Sequence, residues 1–197
     1  MSNLLQTILD VAVQLEISIV IIGGLALPAY NIARATLDID ICIYVKNQEE
    51  LNFFIEVLKK NNISTLQNPK IDHNLFTVFT KSGEAKIWLK PCDAFNWDNQ
   101  MVEKKQKFFA NVYVLAVEDY LLTKLARADR SAIDISDILN VLIANKDKID
   151  WEYLKYRLRW IGLEDDFKQI LKGFKLDTFK NVRNISKEIL KKFRIMI

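Results

Sequence analysis

The sequence predicts an α+β or mixed α/β body followed by a C-terminal helical module. Hydrophobic periodicities run β-α-β-α-β-β-β after an N-terminal helix and then turn helical for four or five segments. The change falls near Ala116, so residues 1–116 form the expected α/β core and 117–197 the helical module. Half of the 197 residues are hydrophobic and 27% are charged, ample material for a folded core. Only 5 Gly and 3 Pro exclude collagen-like or low-complexity character.

Each element has a local reason. Leu4, Leu5, Ile8, Leu9, Val11, Ala12 and Leu15 recur with helical spacing. Ile17 to Ile22 is rich in β-branched residues and reads as a buried strand ending at Gly23–Gly24. Residues 25–34 suit a helix with Pro28 in its first turn. Residues 37–45 alternate strictly, with Leu37, Ile39, Ile41 and Ile43 on one face and Asp38, Asp40, Cys42 and Tyr44 on the other. Residues 47–62 form an amphipathic helix capped by Asn47, with Glu50 three residues on. Residues 74–80 and 84–90 flank Lys81-Ser82-Gly83 as a hairpin, and 111–117 read as a further strand. Beyond it, 117–128, 134–145, 150–161, 164–173 and 178–195 read as helices. Phe53, Phe54, Phe76, Phe79 and Trp88 are expected in the core.

Composition removes several function classes. A lone histidine, His73, argues against a His-based metal centre or a Ser-His-Asp triad. Cys42 and Cys92 have no metal-ligand spacing and suit a reducing cytosol better than a disulfide framework. The longest apolar run, Ile17 to Leu27, is broken by the glycine pair and is too short to span a bilayer. The N-terminus lacks the positive charge of a secretory signal, so the expectation is a cytoplasmic protein with no membrane partner. Net charge is +3 but uneven: residues 151–197 hold 12 Lys/Arg against 6 Asp/Glu, and residues 1–150 hold 16 against 19. A basic tail points weakly to a nucleic-acid or acidic partner, and a solvated lysine-rich helix face explains it as well. Trp151, Tyr153, Tyr156 and Trp160 interleave with Lys155, Arg157 and Arg159. That stripe fits either an RNA-stacking surface or a helix burying Trp151, Leu154 and Leu158.

The chemistry concentrates between Ile21 and Tyr44. A glycine pair ending a buried strand and opening a helix lets backbone N–H groups and a positive helix end receive phosphate. Fourteen residues after Gly24, Asp38 and Asp40 stand at i and i+2 on the next strand, on one face. Two carboxylates that close repel when both are ionised, which favours a shared cation. Mg²⁺ takes oxygen ligands, commonly one or two carboxylates plus substrate phosphates. Arg34 and Thr36 precede the strand and can add charge and a hydroxyl near those phosphates.

Gly23-Gly24, a gap, then Arg34-x-Thr36-x-Asp38-x-Asp40 between hydrophobics resembles the nucleotidyltransferase superfamily of the polymerase β type. Its AbiEii-like branch, which includes toxins of type IV toxin–antitoxin systems, is the nearest likeness. Residues 117–139 resemble that family's helical stretch, with Lys124, Arg127, Arg130, Asp134 and Asp137 at the matching places. The likeness covers roughly residues 16–145. It implies a nucleotidyltransferase-type mixed β-sheet flanked by helices. It also implies a Mg²⁺-dependent transfer of NMP from an NTP to an RNA (the 3′ end of tRNA among them) or to a protein, as the toxin of a pair with an antitoxin partner. Asp38 and Asp40 would hold Mg²⁺ in a two-metal site, and Gly23, Gly24, Arg34 and Thr36 would bind the nucleotide. Lys124 would neutralise the triphosphate, and Asp134 would complete the catalytic set. The superfamily usually draws a third carboxylate from a later strand. Here Lys86 and Trp88 stand on that face, while Glu84 and Asp93 are out of register. That departure leaves open a catalytically impaired protein acting as a nucleotide-binding or interaction module. Adenylylation of a small aminoglycoside-type acceptor shares the same corner, but it needs an acidic pocket, and the basic tail counts against one.

Overall fold

The computed structural model describes residues 3–174 together with Ile189 and Lys191. The helix expected over 178–195 lies, apart from those two positions, outside the described residues. Two compact units divide the chain: Met1–Ala29 with Arg34–Leu115, and Tyr30–Ala33 with Ala116–Ile197.

The first unit contains α1 (Asn3–Gln14), β1 (Ser18–Ile21), β2 (Asp40–Tyr44), α2 (Gln48–Lys60), β3 (Ser64–Thr65), β4 (Leu75–Thr80), β5 (Gly83–Trp88), α3 (Asn99–Lys104), β6 (Gln106–Phe109) and β7 (Val112–Val114). One seven-stranded sheet runs β3-β4-β5-β2-β1-β7-β6. It is mixed: β2–β5 and β1–β7 are parallel and the other pairs antiparallel. Helix α1 buries the apolar stripe read from the sequence, except Leu15, against β1, β5 and α2. Asn47 caps α2 by accepting from the Glu50 N–H, as the capping pattern predicts. The core also holds Ile41, Ile43, Phe54, Phe76 and Ile87, all fully buried.

Four expectations in this unit are corrected. Strand β2 begins at Asp40 rather than Leu37, and Leu37 is 100% exposed. Its pairing with β1 ends at Ile21–Ile41, because the chain after Ile22 turns away at Gly23, which has φ +63°. Residues before Ile39 therefore have no ladder to join. Second, the helix expected over 25–34 is a 3₁₀ helix, Gly23–Tyr30, that begins at the glycine pair and contains Pro28. A proline lacks the N–H an α-helix interior needs, and the tighter 3₁₀ turn ends at Asn31, a left-handed residue (φ +63°). Third, Phe53 and Phe79 are exposed rather than core, since each sits on the outer face of its element. Fourth, β3, α3 and β6 have no counterpart in the sequence reading. The segments ST, NQMVEK and QKFF are short and carry no β-branched run or amphipathic period.

The second unit contains α4 (Val117–Leu125), α5 (Ala132–Asn145), α6 (Trp151–Trp160) and α7 (Glu164–Phe174). Every residue of α4 is buried, including Glu118, Asp119 and Lys124, and the helix packs on α5 and α6. Its charges are therefore matched inside the unit. Arg157 Nε donates to Asp119 Oδ1 at 2.8 Å, and the Tyr153 hydroxyl donates to Asp119 Oδ2 at 3.0 Å. The Arg157 guanidinium also lies over the Trp160 ring at 4.3 Å. Glu118 accepts from the backbone N–H of Asp150 at the start of α6. The stripe on α6 is thereby divided. Lys155 and Arg157 are buried with Leu154 and Leu158, and Tyr156, Arg159 and Trp160 stay exposed. The burying helix accounts for most of that stripe, and Arg157, 1% exposed, is an internal counter-ion. The Asn145 amide donates to the Tyr30 carbonyl at 2.9 Å, and the Tyr30 and Tyr120 rings lie 4.5 Å apart, which ties residues 30–33 into this unit.

Candidate active site

In the first unit the end of β1, the 3₁₀ turn and the start of β2 form one corner. Antiparallel pairing places the end of β1 beside the start of β2, and the Ile22 N–H donates to the Asp40 carbonyl at 3.0 Å. Gly23 is required there for two reasons. Its φ of +63° suits glycine, and a Cβ at this position would stand 2.7 Å from Asp40 Oδ2. A Cβ at Gly24 would meet the Thr36 side chain at 3.4 Å. The glycine pair thus lets the backbone lie directly against the Asp40 carboxylate and the Thr36 hydroxyl group. That hydroxyl accepts the Asp38 N–H at 3.2 Å, which orders the segment leading into β2. Asp38 and Arg34 are exposed, and Asp40 is half-buried.

Strand β5 completes the corner. It runs parallel to β2 with Lys86 opposite Asp40 and Trp88 opposite Cys42. The Trp88 indole N–H donates to Asp40 Oδ1 at 3.2 Å. Trp88 is therefore a polar partner of the site as well as a half-buried aromatic, which the sequence reading as core did not anticipate. Glu84 is exposed at the hairpin end of β5, opposite Phe79, and Asp93 accepts from the Asn74 amide at 2.9 Å. Among the described residues no group of three or more His, Cys, Asp or Glu side chains is gathered for a metal. Asp38, expected on the same strand face as Asp40, lies just before β2 and is exposed; the two side chains offer only oxygen donors, the kind Mg²⁺ accepts when substrate phosphates supply the remainder. On its chemistry, the corner fits that ion.

Lys124, Asp134 and Asp137 meet in the second unit. Lys124 Nζ lies 2.9 Å from Asp134 Oδ1 and 3.0 Å from Asp137 Oδ2, with Lys124 and Asp134 side chains 8% and 5% exposed. Asp134 is also the third residue of a capping box: its carboxylate accepts from the Ser131 N–H, and Ser131 Oγ accepts from the Asp134 N–H. Burial alone would raise the Asp134 carboxyl, but hydrogen bonds from Lys124 and Ser131 hold it down at about 2. The cluster joins the C-terminal turn of α4 to the first turn of α5. Both charges suit the helix ends they occupy. The structure thus brings Gly23, Gly24, Thr36, Asp38 and Asp40 together in one unit, and Lys124 with Asp134 in the other.

A mixed sheet carrying a glycine-turned strand end against a strand-borne carboxylate, with helices on the sheet, defines a nucleotidyltransferase-type fold. The chain belongs to the family described as nucleotidyltransferase of unknown function (DUF6036), whose model matches residues 2–191. No curated protein matches the sequence. Among solved structures it is similar to the antibiotic-resistance factor ANT(2'')-Ia, seen in solution with a TM-score of 0.52 at 16% identity, over 85% of this chain and 96% of that one. The crystal structure of ANT(2'')-Ia in complex with adenylyl-2''-tobramycin gives a TM-score of 0.48 at 16% identity, over 80% and 95% of the two chains. No helix among the described residues is long and apolar enough to cross a membrane.

Proposed function

We propose that this protein transfers a nucleoside monophosphate from an NTP to an acceptor oxygen on an RNA (tRNA among them) or a protein. The observation that carries this reading is the glycine-lined contact at Asp40, where a side chain at Gly23 would fall 2.7 Å from Oδ2. The glycine lets the backbone lie against that carboxylate, which sets groups of the kind that receive phosphate beside one that can hold a cation. Asp38 and Asp40 would hold a divalent metal, Mg²⁺ by preference, which supplies positive charge against the triphosphate when bound. Gly23 and Gly24 would admit the phosphates to the backbone, Thr36 would offer its hydroxyl, and Arg34 its positive charge. The acceptor oxygen bonds to the α-phosphorus as the bond to the β-phosphate bridging oxygen breaks, pyrophosphate carries away that electron pair, and the acceptor's proton passes to solvent.

For Lys124 and Asp134 the surroundings favour a structural part, joining α4 to α5, over the catalytic part implied by the resemblance. Placement in the AbiEii-like branch, with a toxin role and an antitoxin partner, rests on the motif likeness at residues 21–44 and 117–139. Incubation with labelled NTPs, Mg²⁺ and either total RNA or cell lysate tests the transfer, with an aminoglycoside as a third acceptor. Label on RNA or protein that disappears in Asp38→Ala/Asp40→Ala is the expected result. Equal labelling by the double variant, or label on the aminoglycoside alone, refutes it. A second reading, nucleotide binding without transfer, is favoured by the presence of Lys86 and Trp88 where a third carboxylate is usual. Calorimetric NTP binding with no product on any acceptor would select it.

A further inference from the structure

The face of β5 beside Asp40 carries a donor and a cation in place of an acid. Trp88 Nε1 donates to Asp40 Oδ1 at 3.2 Å, and Lys86 stands directly opposite Asp40 in the parallel register. Lys86 and Trp88 are two residues apart on one strand and so share a face. Lys86 is exposed. The nearest acids on this strand and its loop, Glu84 and Asp93, are at the hairpin end and tied to Asn74 respectively.

We propose that β5 makes this corner a one-ion site, in which Trp88 is a positioning residue for Asp40 and Lys86 replaces the charge of a second metal. The proposal rests on the reading above that Asp38 and Asp40 hold a divalent cation. An indole N–H is a donor only and carries no formal charge. By engaging Oδ1 it fixes the carboxylate plane, with Oδ2 held against Gly23. Such outer partners orient ligands and tune metal affinity. Charge balance points the same way. Three carboxylates with two divalent cations leave a single net positive charge to meet the triphosphate. Two carboxylates, one divalent cation and the Lys86 ammonium leave the same charge. A lysine is a compact point charge on a flexible stem, suited to phosphate oxygens that shift during transfer.

Mn²⁺ bound per chain, measured by electron paramagnetic resonance, tests this with saturating α,β-methylene analogues of ATP, GTP, CTP and UTP in turn. Wild type is expected to hold one Mn²⁺, shared with the phosphates, and Trp88→Asp to hold two. Trp88→Phe, checked for folding by circular dichroism, is expected to weaken Mn²⁺ binding roughly 10- to 100-fold without changing the count. Lys86→Met is expected to weaken analogue binding about 10-fold at an unchanged count, as loss of one phosphate-facing charge predicts. Two ions in wild type, both lost in Asp40→Ala, overturn the one-ion site and leave the metal reading standing. An unchanged Mn²⁺ affinity in Trp88→Phe overturns the positioning role. If wild type binds no Mn²⁺, or Asp40→Ala retains it, the metal reading fails and the one-ion site fails with it.

Discussion

Lys124→Met separates a structural lysine from a catalytic one most sharply. Lys124 is nearly buried and within 3.0 Å of two carboxylates, Asp134 and Asp137, that are themselves nearly buried. Methionine preserves the stem and its packing but removes the cation. Two acids then face each other inside the protein, with Arg127, 3.7 Å from Asp134 and 45% exposed, beside them. Removing one partner of a buried pair typically costs about 3–5 kcal/mol, because the other charge is left uncompensated. Arg127 offsets little of this, since exposed pairs contribute at most about 1 kcal/mol. A loss of about 4 kcal/mol corresponds to a melting point lower by roughly 10 °C in a chain of this size. The assay is urea unfolding at pH 7 followed by tryptophan fluorescence and circular dichroism, repeated at pH 4.5. There the deficit should shrink, because carboxylates that have lost their cation take up protons more readily. A variant as stable as wild type within about 0.5 kcal/mol at pH 7, yet inactive with NTP, would refute the structural assignment and return Lys124 to the chemistry.

Three further outcomes are expected. The Asp134 carboxyl is held down from 3.8 to about 2 despite burial. Its folded pKa lies below its unfolded one, so the stability it contributes, about 2 kcal/mol, is complete above about pH 4 and lost as pH falls through 2. Asp134→Asn should flatten that part of the acid unfolding curve, and an unaltered curve would contradict it. Gly23→Ala forces a side chain into a left-handed conformation and against Asp40 Oδ2, costing about 1–3 kcal/mol in thermal unfolding and abolishing nucleotide binding. Gly24→Ala, which meets Thr36 only at ordinary contact distance, should do less, and the reverse order would refute the geometry. Burial pushes the Cys42 thiol well above its ordinary range. It should therefore resist a thiol-specific disulfide reagent at pH 8 until urea unfolds the protein; fast reaction in the native state would show the strand to be open.

The legible part of this protein was its local chemistry. Gly23–Gly24 and Asp38-x-Asp40 are adjacent in sequence to the turn and strand that bring them together, so pattern alone placed them in one corner. The helical module was legible as helices but not in its charges. Helix α4 is buried on every side, and an amphipathic reading, which assigns charged residues to solvent, cannot foresee Asp119 paired with Arg157 or Lys124 with Asp134 and Asp137. Those pairs join residues from 10 to 38 positions apart. Leu37 failed for the opposite reason: strict alternation marks a strand only where a partner strand is present, and β1 has already turned away.

Trp88 shows why the register matters more than the residue type. The alternation Glu84-x-Lys86-x-Trp88 was visible, and so was the lack of an acid in register. What sequence could not supply was the parallel pairing of β2 with β5, separated by a helix and two further strands, which sets Lys86 opposite Asp40. Without that pairing a tryptophan between apolar neighbours is a core residue. With it, the polar edge of the same ring reaches Asp40, one of the two carboxylates on which the proposed chemistry depends. A position that looked like a lost catalytic acid thus carries a donor aimed at Asp40, one of the two acids that remain. Substitution there should alter metal affinity before it alters the fold, and a lost catalytic acid with no replacement would predict the opposite order.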